Sequence, residues 1–339
     1  MKKALLSLLC LLPLLTMAQQ QNKDLTLSEA IGSISDRISI GGFLQGGYDY
    51  NSQTEESSFY HKRAAFNIRG RITDRWTAFL AFEYSNSTSQ ELYTEYKFAD
   101  ELSVRVGQFK TMFGLENMTS PTAADLIDDA SMATRYYVGW SGDVLQGNHA
   151  GRDLGLLVSG DLFNKVLHYD LSLMNGQGIN RRDGNKDKDL ALRLIYNITP
   201  EVALSGSYYD GRGHAIASNG LMDIYEGEDY NRDRWALGGT LTLPKIKVRA
   251  EYLGGKDGHI KSEGWYALGV FTVVDDLDLL LNYEYFNQNK KHDLAQTGLG
   301  AGLQWWFYKG CRLRFMYTNR DVKNSDNYNL LQAAFQVSF

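Results

Sequence analysis

Apolar and polar residues alternate along most of this chain with a period of two. Between Arg37 and Phe339 the alternation recurs in sixteen segments, most of them close to ten residues long. In the clearest segment, Leu277–Asn287, every second residue up to Tyr285 is apolar or aromatic: Leu277, Leu279, Leu281, Tyr283 and Tyr285. A tilted β-strand of about 9–11 residues crosses a bilayer, so the pattern predicts transmembrane strands.

The connections between these segments differ systematically in length. Every second connection is a tight turn, as at Thr73–Asp74, Ala99–Asp100 and Tyr308–Lys309. The intervening connections are long and polar: Asn51–Ser57, Thr111–Arg152, Asn175–Lys186, Gly211–Arg232 and Gly254–Glu263. Outer-membrane barrels have short periplasmic turns and longer extracellular loops. The sequence therefore predicts an all-β fold, a 16-stranded antiparallel transmembrane β-barrel spanning residues 37–339.

The third outward connection, Thr111–Arg152, is too long for a simple hairpin, and loops of this length are usually functional or disordered. Its large apolar and aromatic side chains argue against disorder: Met112, Phe113, Leu115, Met118, Tyr136, Tyr137 and Trp140. Folding inward would bury these side chains and narrow the pore. We therefore expect a long third extracellular loop folded into the lumen, with an ordered external cap as the alternative.

The N-terminus has the pattern of a secretory signal. Lys2 and Lys3 precede an apolar run, Ala4–Leu15, and small residues follow up to Ala18. The apolar run is too short to cross about 30 Å of hydrocarbon as a helix. We expect a signal peptide at 1–18, a short N-terminal periplasmic segment at 19–36, and localisation in the outer membrane of a Gram-negative bacterium.

Composition is consistent with a barrel but does not require one. The chain has 21 Tyr, 15 Phe and 33 Gly against only 4 Pro, which suits aromatic girdles and one apolar face per strand, although a soluble sandwich would explain the same totals. The net charge of −5 argues against a nucleic-acid partner. Cys311 would be the only cysteine left after cleavage, so no intramolecular disulfide is expected.

If the apolar parity of each strand faces lipid, the other parity faces the lumen. The basic residues assigned to the lumen in this way are Arg63, Arg69, Arg71, Arg75, Lys97, Arg105, Arg193, Lys247, Arg249, Arg312 and Arg314. The corresponding acids are fewer: Glu83, Glu91, Glu95, Asp170, Glu251 and Glu284. Rings of Arg and Lys select anions in pores, and the Arg fork fits phosphate or carboxylate oxygens.

These residues predict an anion path, with the alternative that each arginine merely pairs with a lumen acid. Lys110 falls on the lipid parity, but its strand ends there, so it is a further candidate for a cation at the constriction.

Other candidate chemistry is weak. Asp183, Asn185, Asp187 and Asp189 alternate like the start of a calcium loop, but Lys188 stands where such a loop needs glycine, which favours a solvated hairpin tip. The six histidines are scattered, and no catalytic residue or cofactor is predicted.

Several stretches resemble the phosphate-selective porin O and P family. The residues that carry the resemblance are Arg105–Lys110 with Phe113–Glu116, then Asn175–Asn180 with Asp183, Asn185, Lys188, Asp189 and Arg193, and the closing Phe335, Val337 and Phe339. The resemblance implies a sixteen-stranded homotrimer in outer-membrane lipid that conducts small anions such as phosphate or polyphosphate. A general non-selective porin, or an outer-membrane barrel enzyme or structural barrel, are the alternatives.

Overall fold

The computed structural model describes residues 36–140 and 151–339, and it is a closed antiparallel barrel of sixteen strands. The first eight strands are β1 (Ile38–Asn51), β2 (Glu56–Arg71), β3 (Trp76–Glu83), β4 (Thr88–Ala99), β5 (Leu102–Lys110), β6 (Arg152–Leu162), β7 (Leu167–Met174) and β8 (Asp189–Asn197). The others are β9 (Val202–His214), β10 (Asp229–Leu243), β11 (Ile246–Asp257), β12 (Ile260–Val274), β13 (Leu277–Asn287), β14 (Ala295–Tyr308), β15 (Cys311–Val322) and β16 (Tyr328–Ser338). Each predicted segment overlaps one strand, so the predicted sixteen-stranded antiparallel barrel is confirmed.

The described part of the long connection between β5 and β6 contains one short helix, α1 (Met132–Tyr137). In the described residues no helix is long and apolar enough to cross a bilayer. The compact barrel unit comprises Ile40–Phe339. The predicted signal peptide at 1–18 and nearly all of the predicted periplasmic segment at 19–36 lie outside the described residues.

The barrel closes by pairing its first and last strands. β1 and β16 are antiparallel from Phe43↔Ser338 to Asn51↔Leu330. The seam ends on two backbone hydrogen bonds between Gly42 and Phe339, of 3.1 and 3.0 Å. Closure leaves no strand with an unpaired edge, which a sheet exposed to hydrocarbon requires.

The two faces of the wall differ as the alternation predicts. In β13, Leu281 and Tyr283 are exposed, while Leu280, Asn282 and Glu284 between and beside them are buried. The exposed face of the wall is rich in large apolar side chains and carries aromatic pairs such as Trp235 and Tyr252, stacked at 5.2 Å. This outer face suits lipid, and the polar residues occupy the inward face.

The outward ends of the strands extend beyond their predicted limits. The predicted loop Gly254–Glu263 is wrong: β11 and β12 continue pairing as far as Asp257↔Ile260. Only the turn at Gly258 and His259 remains between them. Above the lipid both faces of a strand can be polar, so the sequence there looks like a loop even where the backbone stays paired.

We predict that Gly107→Ala destabilises the barrel. Gly107 in β5 has φ +133°, and a Cβ there would lie 2.2 Å from the carbonyl oxygen of Leu92 in β4. Strain of this kind amounts to about 1–3 kcal/mol, which would lower the temperature at which the folded band disappears from unheated gels. Gly70→Ala is the matched control, because a Cβ at Gly70 meets nothing within 4 Å. Equal melting of the two variants would contradict the prediction.

Candidate functional site

The connection between β5 and β6 is bonded to the inward face of distant strands. The backbone N–H of Gly114 donates to Ser207 Oγ in β9 at 3.1 Å, and that of Leu115 donates to the Glu251 carboxylate in β11 at 3.1 Å. The N–H of Met132 donates to Glu284 Oε2 in β13 at 2.7 Å. The connection is therefore held by three separate strands.

Helix α1 packs its aromatic residues against β11–β13. Ser131 caps the helix by accepting a hydrogen bond from the N–H of Thr134. The hydroxyl of Tyr136 donates to Asp257 Oδ2 and that of Tyr137 donates to Ser262 Oγ, each at 2.8 Å. Burial raises the pKa of both tyrosines well above its ordinary value, so both hydroxyls stay protonated and act as donors.

Arg312 and Arg314 of β15 bind backbone carbonyl groups of the same connection. Arg312 Nη2 donates to the carbonyl oxygens of Thr122 at 3.1 Å and Ala124 at 2.7 Å. Arg314 Nη1 donates to those of Ala124 at 3.0 Å and Leu126 at 2.9 Å. The two side chains are 0% and 1% exposed. Sequence analysis assigned both to an anion path, but the structure places them against this connection, with almost no surface left for a solute.

Three more of the predicted arginines are paired with acids. Arg193 donates to Asp170 Oδ2 through Nε at 3.0 Å and Nη2 at 2.6 Å, and is buried. Arg105 binds Glu95 in the same way, at 2.7 and 2.6 Å. Arg249 lies 3.8 Å from Asp125. For Arg193 and Arg105 the contacts match the alternative interpretation, in which wall cations pair with wall acids, whereas Arg249 faces an acid of the long connection.

Arg63 and Lys110 border a cavity of about 520 Å³ between residues 118–129 and strands β2–β5. Arg63 contacts Asp129 at 2.9 Å and Glu83 at 3.4 Å. Lys110 Nζ donates to the carbonyl oxygen of Thr119 at 2.7 Å. The charged residues around this cavity are Lys62, Arg63, Lys110, Arg135 and Arg152 with Glu83, Glu91, Asp128 and Asp129.

Lys62 and Arg152 belong to this site, although sequence analysis missed them. Lys62 lies 2.8 Å from Asp129, the same carboxylate that Arg63 binds. Burial acts to raise the pKa of Asp129, but Lys62 and Arg63 lower it below its ordinary value. Lys62 and Arg63 are consecutive, and strict alternation places consecutive side chains on opposite faces of a strand. Because Arg63 was assigned to the lumen, alternation predicted the lipid face for Lys62. Arg152, the last residue of the predicted loop, begins β6 and lies 3.3 Å from Glu91.

The remaining predicted cations lie toward the short-turn end of the wall. Lys97 pairs with Asp100 at 2.5 Å, and both are largely exposed. Arg75 lies in the turn before β3, which begins at Trp76, so its predicted wall position is wrong by one residue. Arg69, Arg71 and Lys247 are exposed. The twelve candidates therefore form no single cluster. Some bind the long connection, some pair with wall acids, and others line the cavity or lie at the short-turn end of the wall.

Three further buried arginines lie on the outward half of the wall. Arg320 contacts Glu284 at 2.7 Å, and Arg234 contacts Asp257 at 3.2 Å. Arg232 donates to the carbonyl oxygen of Gly176 at 2.9 Å. Arg234 stood on the polar parity of a predicted strand, so the alternation itself could have identified it. The other two required strands longer than those predicted.

The acidic loop after β7 uses its oxygens within the protein. Asp183 accepts hydrogen bonds from Lys188 and from the N–H of Asn185. Asp189 is buried and accepts from Tyr209 and from the N–H of Arg212. In the described part of the chain, no three His, Cys, Asp or Glu side chains are grouped so that they could hold a metal ion.

Solved structures of outer-membrane proteins share this barrel. An anion-selective porin from Comamonas acidovorans is 13% identical, with a TM-score of 0.66 over 89% of this chain and 99% of that chain. Outer-membrane expressed OmpT of Vibrio cholerae has the same identity and TM-score, over 89% and 97% of the chains. The outer membrane channel DcaP of Acinetobacter baumannii is 13% identical, with a TM-score of 0.63 over 89% and 97%. At such identities the similarity shows the fold alone.

No curated protein matches the chain in sequence. The model of one protein family, described as phosphate-selective porin O and P, matches residues 38–339, which is nearly the whole described barrel. This match confirms the resemblance seen in the sequence. The chain belongs to the phosphate-selective porin O and P family, and it is an outer-membrane porin.

Proposed function

We propose that this porin is a water-filled diffusion channel that prefers small anions. The observation that carries the proposal is the cavity beside β2–β5, where Lys110 contacts a neutral carbonyl group while the surrounding cations reach carboxylates. Among the described residues no carboxylate lies within 4.0 Å of its ammonium group, so the charge of the protonated lysine is not cancelled by an ion pair and can attract a passing anion. The anion selectivity named for the Comamonas acidovorans porin supports the same preference.

The proposed path requires that residues 111–140 lie inside the barrel and narrow it. Gln45 of β1 and Arg63 of β2 bind this segment from one side, and Glu251 of β11 binds it from another. Arg312 is the second residue of β15 and lies close to the turn at Gly310. This turn is at the end of the barrel opposite to the outward loops. An external cap would reach the outward strand ends alone, so contacts at this depth support the inward position.

Phosphate or polyphosphate is the solute that the family suggests. Arg63, Lys110 and, nearer the exit, Arg69 and Arg71 offer a series of cations along one side of the wall. Lys or Arg side chains suit phosphate oxygens because their hydrogen bonds to anions are charge-assisted. Arg105 and Arg193 pair with wall acids, and Arg312 and Arg314 bind backbone carbonyl groups. Lys110 and Arg69 are therefore the cations of the proposed route. A general non-selective porin, a barrel enzyme and a structural barrel are the alternatives.

We also propose that the protein is a homotrimer in outer-membrane lipid. A trimer form is named for OmpT of Vibrio cholerae, which is 12% identical with a TM-score of 0.64. The exposed apolar outer face would then be divided between lipid and neighbouring copies.

Reconstituted channels in a KCl gradient should show an anion-selective reversal potential. Fixed cations in a narrow aqueous path raise the local anion concentration. Lys110→Glu should lower the anion-to-cation permeability ratio by about twofold or more. High salt should weaken the native preference, because the Debye length falls from about 10 Å at 0.1 M to about 3 Å at 1 M.

Lys165→Glu is the control for this experiment, since it makes the same charge change in an exposed turn between β6 and β7. Cation selectivity in the native channel would leave a general porin. Millimolar phosphate should block the chloride current if phosphate is a solute. Anion selectivity without this block would remove phosphate and keep the channel.

The double variant Arg312→Ala and Arg314→Ala should enlarge the conducting path. Each charged hydrogen bond to a loop carbonyl contributes about 1.5–3 kcal/mol, so their loss should loosen residues 122–126. We expect a higher and noisier single-channel conductance, and a similar rise on deletion of 120–133. Arg75→Ala, in an exposed turn, is the control. Unchanged conductance in folded barrels would place the segment outside the permeation path.

A further inference from the structure

Two aromatic rings and two guanidinium groups form a row across β2–β5 on the inward face. Arg69 pairs with Phe79 in the β2–β3 register, and Phe79 pairs with Tyr93 in the β3–β4 register. The Arg69 Cζ lies 4.9 Å from the Phe79 ring centroid, and the two ring centroids are 5.1 Å apart. The Arg105 Cζ lies 4.2 Å from the Tyr93 centroid. The rings are therefore flanked by a cation at each end.

The two ends of this row are not equivalent. Arg105 is held by Glu95, and Tyr93 is only 8% exposed, so this end is closed. Arg69 is exposed, and within the described residues no carboxylate lies within 4.0 Å of its guanidinium group. Its charge is therefore uncompensated by a direct ion pair, and its guanidinium group lies over the Phe79 ring.

The open end of the row adjoins the cavity. Phe79 and Asn67 both line the cavity, and Asn67 is two residues before Arg69 on the same strand face. With a rise of about 3.4 Å per residue, Arg69 lies about 7 Å below Asn67 and Arg71 about 7 Å further. A solute that moves from the cavity toward the short-turn end would meet Phe79 and then Arg69.

The chemistry of this pair fits a ligand that is both planar and negatively charged. A guanidinium fork binds a carboxylate through two hydrogen bonds, and its flat face stacks on aromatic rings. A small inorganic anion could use only the fork. A second aromatic ring could also contact Phe79 in the offset or edge-to-face geometry that such pairs prefer.

We propose that Arg69 and Phe79 form a binding site for planar aromatic carboxylates on their way through the channel. The proposal rests on the proposed function as an anion-preferring channel, and it adds a solute class that uses the ring as well as the charge. The aromatic contact should strengthen binding by about three- to tenfold over a saturated acid of the same charge and size.

The test is block of the single-channel chloride current in planar bilayers by benzoate and by cyclohexanecarboxylate. The two probes share one carboxylate and a six-membered ring, and only benzoate is aromatic. We expect benzoate to block the native channel at about three- to tenfold lower concentration. Phe79→Leu should abolish this difference and retain the chloride conductance. Phe315→Leu, on the exposed outer face of β15 and away from the cavity, should keep the difference.

A second variant keeps the test decisive if Phe79→Leu does not fold, as judged by the unheated gel band. Arg69→Lys retains the positive charge but loses the planar fork that fixes the orientation of a bound carboxylate and so directs its ring onto Phe79. This variant should therefore keep anion selectivity and lose the preference for benzoate. A native channel without anion-selective current would refute the proposed function. Anion-selective current with equal block by both acids, or a benzoate preference that survives both variants, would refute the aromatic site alone.

Discussion

The hydrogen bonds between the β15 arginines and the backbone of the long connection are the constraint on which the interior depends. Arginine stays charged at any working pH, so a buried guanidinium group must find oxygen partners. An irregular backbone away from water must likewise find donors for its carbonyl groups. Arg312 and Arg314 meet both requirements at residues 122–126. With the tyrosines of α1 bound to β11 and β12, the cavity is left beside β2–β5.

The fold was predictable because the lipid imposes it on the sequence. Every strand must present apolar residues on one face, so the period of two identifies all the strands. The alternation of short and long connections shows which end of each strand points outward. The same reasoning becomes unreliable at the outward ends, where neither face meets lipid. Lys256 and Lys261 pair directly across β11 and β12 although their surroundings look like a polar loop.

The candidate site was less predictable, because parity identifies the face of a side chain but not its partner. Arg193 and Arg69 both stand on the polar parity, yet Arg193 is neutralised by Asp170 from the neighbouring strand while Arg69 rests on a ring. The partner depends on strand register and on the path of the long connection. Neither can be predicted from the alternation within a single strand. Lys62 even contacts Asp129 although alternation assigns its side chain to the opposite face.

The seam between β1 and β16 has a consequence for how the protein is made. Hairpins such as β2–β3 join residues that are close in sequence, but Gly42 bonds to Phe339, about 300 residues further along the chain. Such distant contacts make folding slow and expose unpaired strand edges while it proceeds. The barrel cannot close until Phe339 has been synthesised and exported. The unfinished barrel must therefore be protected from aggregation throughout its passage to the membrane.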